Sequence, residues 1–522
     1  MGHPGFSLSV LLRYFVVPVL LLALATIWFG RTRLRLKFCP TRPHRVVWGL
    51  ITTFGVIYGL MGSLRYLNYR TTIQDLGVYD QRLWSLSTIP GLPLPGQFIS
   101  EFGHFSPILV VHMLVYKVYP SALVLIWLQV LAVGLGAYPI YRLARRHLGA
   151  DVALISAAGY LLYPSVVFTV LFDFHPDHLL IPLLLLAFDL LDRDDWWLLA
   201  MVAISMLLIK ESLVPTVLAF GVYAIVSRKR YWLGAGLAVG AFAFFALVIM
   251  PKYAGVFGPE TSGAESYGYL GSNLASIIRT AVISPGTWLP ELVQIPKLKF
   301  LFLMLAPLAF LPILGPSVLI VAAPGLIMAL LSQHPHRYQI WTQYMAPIVP
   351  PLFVAAIFGF RRLASMGRIQ RLLPRVDIGA ALSVWLLGAG LYFNIVFSPS
   401  PLSTVFWSGT PEWLRWSYHV DAYLVTDRER QMRQALARYV PADPKFGVSS
   451  QNSVNSSHLA HRVRFVQFPD ESDFVVLYQR RPPYLGDRID PVGFAQMLEQ
   501  VKRRRKILHE SDGFFIFGPS VR

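Results

Sequence analysis

The densest run of ionisable side chains in this chain is Asp173-Phe-His175-Pro176-Asp177-His178, which separates two apolar stretches. Carboxylate and imidazole groups perform general acid–base catalysis, and they are also ligand types for divalent metal ions. A tight turn would need only a proline and one acid, whereas each further ionisable group beside hydrocarbon costs free energy. We therefore interpret the run as functional, as an acceptor site or a site for Mg²⁺ or Mn²⁺. A merely polar turn is the alternative.

Two acids occur in Asp75-Leu-Gly77-Val-Tyr-Asp80-Gln, shortly after an apolar run. Residues five apart do not share one helix face, but a turn at Gly77 would bring both carboxylates toward one site. Either Asp75 or Asp80 could then act as a catalytic base. The alternative is that Asp75 caps a surface helix that contains Asp80, because Asp is a favoured N-cap residue.

Three smaller polar groups occur beside other apolar runs. They are Glu101 with His104, Lys210 with Glu211, and His334 with His336 and Arg337. A lysine meets phosphate as a point charge and an arginine grips it with two N–H groups, so Lys210 and Arg337 are candidates for phosphate binding. We place the neighbouring His104, Glu211 and His336 in the same substrate-binding set. The alternatives are a neutralised Lys210–Glu211 pair, an interfacial anchor at Arg337, and a loop hydrogen bond at His104.

The elements that must position these residues are membrane spans. The chain has 522 residues, a mean hydropathy of +0.52 and only 14% charged residues, a composition typical of a polytopic membrane protein. About twelve apolar runs are long enough to cross a bilayer, with both termini outside. They lie near 11–30, 46–66, 121–141, 152–171, 178–192, 196–212, 213–227, 231–250, 298–314, 316–332, 343–360 and 377–397.

Charge sorts the connecting loops by membrane side. The net charge is +18, and much of it lies in alternate loops near residues 31–45, 142–146, 228–230 and 361–375. By the positive-inside rule these loops are cytoplasmic, which places the chemically competent clusters on the outer face. These basic residues set the orientation of the spans in the membrane and contact anionic lipid headgroups. Because this accounts for the positive charge, we exclude nucleic acid as a partner. The single cysteine, Cys39, excludes an intramolecular disulfide.

Two domains are predicted. Residues 1–397 form the membrane domain, with long outer segments at 67–120 and 251–297, the first amphipathic and the second a partly mobile loop. Residues 398–522 are polar enough to form a small α/β domain outside the membrane. Its predicted helices lie at 421–439 and 491–502, and its predicted strands at 446–450, 463–468, 473–478 and 512–518.

An ordered set of motifs resembles the DUF2079 family of bacterial and archaeal membrane proteins. The motifs are Asp75-Leu-Gly-Val-Tyr-Asp80-Gln81-Arg-Leu-Trp84, Gly103-His104-Phe-Ser-Pro107, Asp173-Phe-His175-Pro176, Lys210-Glu211, and Ser449-Ser-Gln451-Asn452 followed by His458-Leu-Ala-His461-Arg462. The resemblance covers most of the chain. The sequence departs from the family pattern at Asp177, where a glutamate is more usual, and in having an additional span before the span that feeds the acidic loop.

The resemblance implies a GT-C-like fold, because this family is grouped with the GT-C glycosyltransferases. Those enzymes use polyprenyl-phosphate sugars and carry an essential acid in the first outer loop, the place that Asp75 and Asp80 hold here. It therefore implies transfer of a sugar from a lipid-linked donor at the outer face of a bacterial or archaeal plasma membrane. A metal ion is optional for such a reaction, since Lys and Arg can also stabilise a leaving phosphate.

Two other classes of function fit parts of the sequence. A transporter or flippase would place ionisable residues at the middle of broken spans, whereas here they gather at helix ends. An envelope-binding or sensor protein would rest on the C-terminal domain alone. The enzyme hypothesis makes a geometric prediction that the others do not. It requires Asp75 or Asp80, His104, the 173–178 run and Lys210 to line one outward-opening cavity. Sequence leaves the sugar, the acceptor and the oligomeric state undetermined.

Overall fold

The computed structural model describes Leu24, Trp28 and residues 42–88, 104–253, 266–409, 418–441, 446–450, 463–465, 472–479 and 491–520. Its contacts divide the chain into two compact units. The first consists of Met1–Phe54, Ala132–Thr169 and Asp177–Val405, and the second of Gly55–Leu131, Val170–Pro176 and Phe406–Arg522. The predicted domain boundary at residue 397 stays a prediction, because compact units group residues by contact and not by membrane side.

Helices account for most of the described chain before residue 440, as the apolar composition predicts. Short π-helical or 3₁₀ turns at Ile73–Gly77, Pro176–Leu179, Glu211–Leu213 and Pro335–Tyr338 connect several of them. The α-helices are α1 Pro43–Leu67, α2 Val78–Thr88, α3 Leu109–Val118, α4 Ala122–Leu135, α5 Ala137–Leu148, α6 Ala150–Leu162, α7 Pro164–Leu171, α8 Leu180–Asp192, α9 Trp196–Leu207, α10 Val214–Val226, α11 Tyr231–Phe244, α12 Met250–Tyr253, α13 Leu274–Ile283, α14 Pro285–Leu292, α15 Ile295–Leu305, α16 Pro316–Leu331, α17 Val349–Ala364, α18 Gly367–Leu372, α19 Ile378–Phe397, α20 Thr404–Ser408, α21 Asp427–Tyr439 and α22 Pro491–Arg504.

Several helices have the length and apolarity of membrane spans. Among the described residues five qualify: Pro43–Leu67, Ala122–Leu148, Tyr231–Ile249, Gln343–Ala364 and Ile378–Phe397. A sixth arises if α6 and α7, bent by 45° at Tyr163, are one broken span. Other predicted spans coincide with shorter apolar helices such as α9 and α16, and the run at 11–30 falls almost entirely outside the described residues. The chain is therefore a helical protein with several apolar spans, and the count of twelve stays a prediction.

Close backbone approach joins α10 to α11 in the first unit. A Cβ atom built on Gly221 would lie 2.7 Å from the amide nitrogen of Ala238 and from the carbonyl oxygen of Gly234. A Cβ on Gly234 would lie 2.6 Å from the carbonyl oxygen of Gly221. Small residues at such a crossing allow apolar helices to pack backbone against backbone.

The segments at 67–120 and 251–297 are more helical than the sequence indicated. We expected a partly mobile loop at 251–297, but α13 and α14 form within it, and a capping box at Asn273 and Ser276 begins α13. In 67–120, helices α2 and α3 form, and Leu76 and Leu83 are fully buried in an apolar cluster with Met113. The amphipathic pattern of the first segment therefore corresponds to helices whose apolar side packs against protein.

The C-terminal part forms the predicted small sheet. Five strands, β1 Val448–Ser450, β2 Val463–Phe465, β3 Phe474–Tyr478, β4 Arg505–Ser511 and β5 Phe514–Ser520, run in the order β2-β1-β3-β5-β4. The first three are parallel, and β5 is antiparallel to both of its neighbours. Alternating residues of β3 face opposite sides, so Val476 packs with Met432 of α21 while Leu477 packs with Leu498 of α22.

One strand was missed. The basic run Lys502–Lys506 directly follows the predicted helix at 491–502 and has the composition of a solvated helix end, but α22 ends at Arg504 and Arg505 begins β4. The side chain of Arg505 is buried, and it donates to the carbonyl oxygen of Gly518 at 3.2 Å. A tight turn at Asp512 and Gly513, both with positive φ (51° and 78°), joins β4 to β5.

Candidate functional site

Asp75 and His175 form an ion pair within the second unit. Asp75 lies in the π-helical turn Ile73–Gly77 that follows α1, and His175 lies in the connection after α7. The Oδ1 atom of Asp75 is 3.2 Å from Nε2 of His175. The imidazole side chain is 9% exposed and the carboxylate 29%, so the acid is the member of the pair that solvent or a substrate can reach.

The hydrogen bonds of the ring constrain its protons. The Nδ1 atom of His175 lies 3.0 Å from the backbone carbonyl oxygen of Asp173. A carbonyl oxygen only accepts, so Nδ1 must carry a hydrogen. Nε2 faces the Asp75 carboxylate, and two bare acceptors would repel each other. One further proton therefore lies between Nε2 of His175 and Oδ1 of Asp75. The pair is either an imidazolium with a carboxylate or a neutral imidazole with a carboxylic acid.

Asp173 is the second carboxylate of this group, and it is held by Thr72. Its Oδ2 atom accepts from the backbone N–H of Thr72 at 2.6 Å and from the Thr72 hydroxyl at 2.7 Å. Burial, and after it the charge of Asp75, raise the pKa of the Asp173 carboxyl to about 6. Asp75 and Asp173 are thus two acids with different surroundings, one accessible and one buried.

Gln129 holds the connection that carries His175. Its side-chain oxygen accepts from the backbone N–H of His175 at 3.2 Å, and its side-chain nitrogen donates to the carbonyl oxygen of Phe172 at 2.9 Å. The Phe172 ring stacks on the imidazole with centroids 5.5 Å apart, and Tyr79 meets it edge-on at 5.9 Å. The buried amide of Gln129 therefore fixes the backbone of this connection, and the two aromatic rings flank the imidazole.

The turn that carries Asp75 also belongs to the core of the C-terminal sheet. Tyr69 and Ile73 are buried in one apolar cluster with Met432 and Val476. The side-chain amide of Asn68 donates to the carbonyl oxygen of Asp421 at 2.8 Å. Packing of the C-terminal part thereby contributes to the position of Asp75.

Asp80 has a different environment from Asp75. It is fully buried, and its Oδ1 atom accepts from the hydroxyl of Tyr116 at 2.5 Å. Tyr116 is itself fully buried in the apolar cluster of α2 and α3. These contacts favour a structural role for Asp80, and its predicted catalytic role stays a prediction. His104 is half-buried ahead of α3, and Glu101 lies outside the described residues.

A second polar group lies within the first unit. Asp177 and Lys210 are both buried, with Nζ of Lys210 3.3 Å from Oδ2 of Asp177. Asp177 also lines a small, partly open cavity of about 40 Å³. The other residues of its wall are Ser212, Leu213, Gly325, Met328, Ala329, Arg337, Tyr344 and Pro347.

Arg337 brings an uncompensated positive charge to this cavity. Its guanidinium carbon lies 4.8 Å from the ring centroid of Tyr344 and 5.6 Å from that of Tyr267. Cation–π contacts on two rings hold the group in place without neutralising it. Within the described part of the chain, no carboxylate pairs with Arg337. The arrangement suits an anion that enters the cavity.

The remaining predicted residues take places near this group. His178 is buried in the turn Pro176–Leu179, and Glu211 is half-buried at the start of the turn Glu211–Leu213. His336 is half-buried in Pro335–Tyr338, with its ring centroid 5.1 Å from that of His334. Their substrate-binding roles stay predictions, as does the convergence of all the predicted residues in one cavity.

Most of the side chains predicted for a divalent metal ion are engaged by protein groups, and a metal site there stays a prediction. Nδ1 of His175 must carry a hydrogen, its Nε2 faces Asp75, and Oδ2 of Asp173 is taken by two donors of Thr72. Asp177 is paired with Lys210. Among the residues described, no three His, Cys, Asp or Glu side chains are placed to hold a metal ion.

Arg65 belongs to the site region and was not among the predicted residues. It lies in the last turn of α1 and is 3% exposed, with its guanidinium 4.5 Å from the ring centroid of Tyr418. It donates to the carbonyl oxygen of Arg70 at 3.2 Å, and its charge acts on Asp173. An arginine inside an apolar span is the signal that could have identified it.

Comparisons with known proteins give one family and a weak structural likeness. Two crystal structures of ArnT from Cupriavidus metallidurans, one bound to undecaprenyl phosphate and one in the apo state, align with TM-scores of 0.44 and 0.45 at 13% and 14% identity. Each alignment covers 96% of this chain and 97% of the other. No curated protein sequence matches. The family model of DUF2079, described as a predicted membrane protein, matches residues 65–426, so the chain belongs to the DUF2079 family of membrane proteins.

Proposed function

We propose that this chain is a GT-C-type glycosyltransferase that transfers a sugar from a polyprenyl-phosphate donor to an acceptor at the outer membrane face. The observation that carries the proposal is the hydrogen-bonded group of Asp75, Asp173 and His175. The chain brings Thr72 to Asp173 across 101 residues, which places three ionisable side chains together at the end of apolar helices. Such a group is costly to assemble unless it is used.

Asp75 is the base in this mechanism. It removes the proton from the acceptor hydroxyl while the acceptor oxygen forms a bond to C1 of the sugar. The bond between C1 and the donor phosphate oxygen breaks, and its electron pair leaves with the lipid phosphate. Attack from the face opposite the phosphate inverts the configuration at C1. His175 acts as a positioning residue, because its ring, held by the Asp173 carbonyl and stacked on Phe172, orients the carboxylate.

Lys210 and Arg337 are assigned to the donor phosphate. Arg337 faces its cavity without a carboxylate partner among the described residues, so a phosphate there would complete the local charge balance. The guanidinium fork can donate two hydrogen bonds to phosphate oxygens, which stabilises the charge that develops as the phosphate leaves. Leu213, Met328 and Pro347 supply apolar wall for the first part of a polyprenyl chain.

The test is an assay of sugar release from polyprenyl-phosphate donors in membranes that carry variant proteins. Asp75→Asn keeps the size of the side chain but removes the proton acceptor. Loss of a general base costs about 10²- to 10⁴-fold in turnover. We expect a decrease of that order with the protein level and the binding of the lipid donor unchanged.

The matched control is Asp427→Asn, which removes an exposed acid from the same unit. It should retain wild-type turnover. Arg337→Gln should weaken donor binding, which separates the phosphate role from that of the base. Full turnover in Asp75→Asn would eliminate the proposed mechanism.

A further inference from the structure

A cluster of arginines surrounds two acids at the end of α8, in the first unit. Asp189 is fully buried, and Asp192 is the last residue of the helix. From α5, Arg142 reaches Asp189 at 3.1 Å, and Arg146 reaches Asp189 and Asp192, each at 2.8 Å. The cluster lies at the opposite end of α8 from Asp177 and His178, and the proposed function makes no use of it.

Two more elements contribute to this cluster. Arg193, directly after α8, lies 3.7 Å from Asp189, and Arg228, between α10 and α11, lies 2.7 Å from Asp192. Each acid is therefore shared by several basic side chains. The buried carboxylates hold the guanidinium groups in a fixed array, unlike solvated surface lysines, whose side chains stay mobile.

The imidazole of His147 joins the array in its neutral form. Nε2 of His147 lies 3.1 Å from Oδ1 of Asp192, and Nδ1 lies 3.0 Å from Nη1 of Arg361. A guanidinium only donates, so Nδ1 accepts and the hydrogen of the ring is on Nε2. Arg361 consequently contributes a charge that no acid within the described residues offsets.

Positive charge exceeds negative charge in the cluster. Asp195, which contacts Arg193 at 3.5 Å, is a third acid. The cluster thus contains five guanidinium groups and three carboxylates, an excess of two positive charges. The five are Arg142, Arg146, Arg193, Arg228 and Arg361. The side chains of Arg142 and Arg228 are 26% and 28% exposed, and each approaches its acid through Nη2, so other N–H groups remain for another ligand.

Exposed aromatic side chains adjoin the cluster in sequence. Trp197 follows Arg193 and is 86% exposed, while Trp232 follows Arg228 and is 93% exposed. The guanidinium carbon of Arg230 lies 5.1 Å from the ring centroid of Trp196. Indole rings are enriched at the boundary between membrane and water, where the apolar body and the N–H are both satisfied. These rings therefore place the arginines at the level of lipid headgroups.

We propose that Arg142, Arg146 and Arg228 form a binding site for the phosphate headgroup of an anionic phospholipid. Phosphate oxygens match the guanidinium fork, and an anionic headgroup supplies negative charge that the protein lacks here. The occupant is a lipid because the adjoining tryptophans need an apolar phase as well as a polar one.

The experiment compares thermal unfolding of the full chain in neutral detergent with added phosphatidylglycerol or phosphatidylcholine. We expect phosphatidylglycerol to raise the Tm by at least about 2 °C more than phosphatidylcholine. The double variant Arg142→Gln/Arg228→Gln should lose this difference. Each acid keeps basic partners in the variant, since Asp189 retains Arg146 and Arg193, and Asp192 retains Arg146 and His147.

Arg371→Gln is the matched control, because it removes an exposed arginine of α18 that is not part of the cluster. It should keep the full difference between the two lipids. Mass spectrometry of lipids that copurify gives a second measurement, in which the double variant should retain less phosphatidylglycerol than wild type. Equal effects of the two lipids, or an unchanged difference in the double variant, would overturn the proposal. So would inorganic phosphate alone reproducing the shift, since it would identify a site for free phosphate.

Discussion

Asp75 and Asp80 both follow α1 and lie five residues apart, yet their carboxylates have different partners. The structure separates them through Tyr116, a residue 36 positions further along, whose hydroxyl donates to Asp80. Likewise, the pairing of His175 with Asp75 depends on contacts across a hundred residues. Residue types can be read from sequence, whereas partners depend on the fold.

The environment of Asp80 leads to a prediction about stability. Asp80→Ala leaves the buried hydroxyl of Tyr116 without this acceptor, which should cost about 1–3 kcal/mol and lower the Tm. Asp80→Asn keeps an oxygen that can accept, so it should unfold close to wild type and retain turnover per folded molecule. Thermal unfolding of both variants tests this role, and a large loss of turnover in well-folded Asp80→Asn would contradict it.

Asp173 should make stability depend on pH. Its folded pKa of about 6 lies above the ordinary value of 3.8, so the folded state binds the proton more tightly than the unfolded chain does. The stabilisation is complete below pH 4 and is lost as the pH rises through 6, by on the order of 3 kcal/mol.

The measurement is the Tm of wild type and of Asp173→Asn at pH 4.5 and 7. Asparagine keeps an acceptor for Thr72 but does not titrate. The difference, wild type minus variant, should therefore fall as the pH rises. A difference that grows with pH would show that the carboxylate form is the stabilised one.

Among the secondary-structure elements, long apolar or alternating runs were predictable and short irregular ones were not. The runs near 46–66 and 377–397 became α1 and α19, and the run at 473–478 became β3. β4 was missed because its basic start resembled the solvated end of α22. The Asp512-Gly513 dipeptide was the local signal for a hairpin there. α13 and α14 were missed because glycine, proline and serine suggested a loop.

The contact between α10 and α11 gives a prediction for helix packing. In Gly221→Ala the added methyl group meets backbone atoms 2.7 Å away, so the helices must separate, at a cost of about 1–3 kcal/mol. Gly236→Ala on α11 is the control, because its Cβ would meet nothing within 4 Å. That variant should be neutral or slightly more stable, since alanine favours helix. Thermal unfolding should therefore rank the two in this order, and equal stabilities would argue against the close packing.

For the whole molecule, composition predicted a helical membrane protein with a small C-terminal sheet, and both features are confirmed. The compact units could not be predicted. Residues 55–131 and 406–522 belong to one unit through contacts such as that of Asn68 with Asp421. These contacts join segments more than 350 residues apart, and periodicity describes only local order.

Membrane topology is a prediction at this scale. A reporter inserted at 228–230 or 361–375 should be cytoplasmic and a C-terminal reporter external, because arginine and lysine gather in alternate loops. Paired reporters that are active only inside or only outside the cell distinguish the two sides. A cytoplasmic C-terminal reporter would reverse the side assigned to the candidate site.

The strand order of the C-terminal sheet has a consequence for the timing of folding. β5 lies between β3 and β4 in the sheet. β3 therefore cannot pair with β5 until about forty further residues have been synthesised. The β4–β5 hairpin closes through a two-residue turn and can form early, on a timescale of about 1–10 μs. Until that hairpin docks, the apolar Val475 and Leu477 lie along an open strand edge. The newly made chain therefore passes through an interval of exposure to chaperones and proteases, whose length is set by the synthesis of residues 479–520.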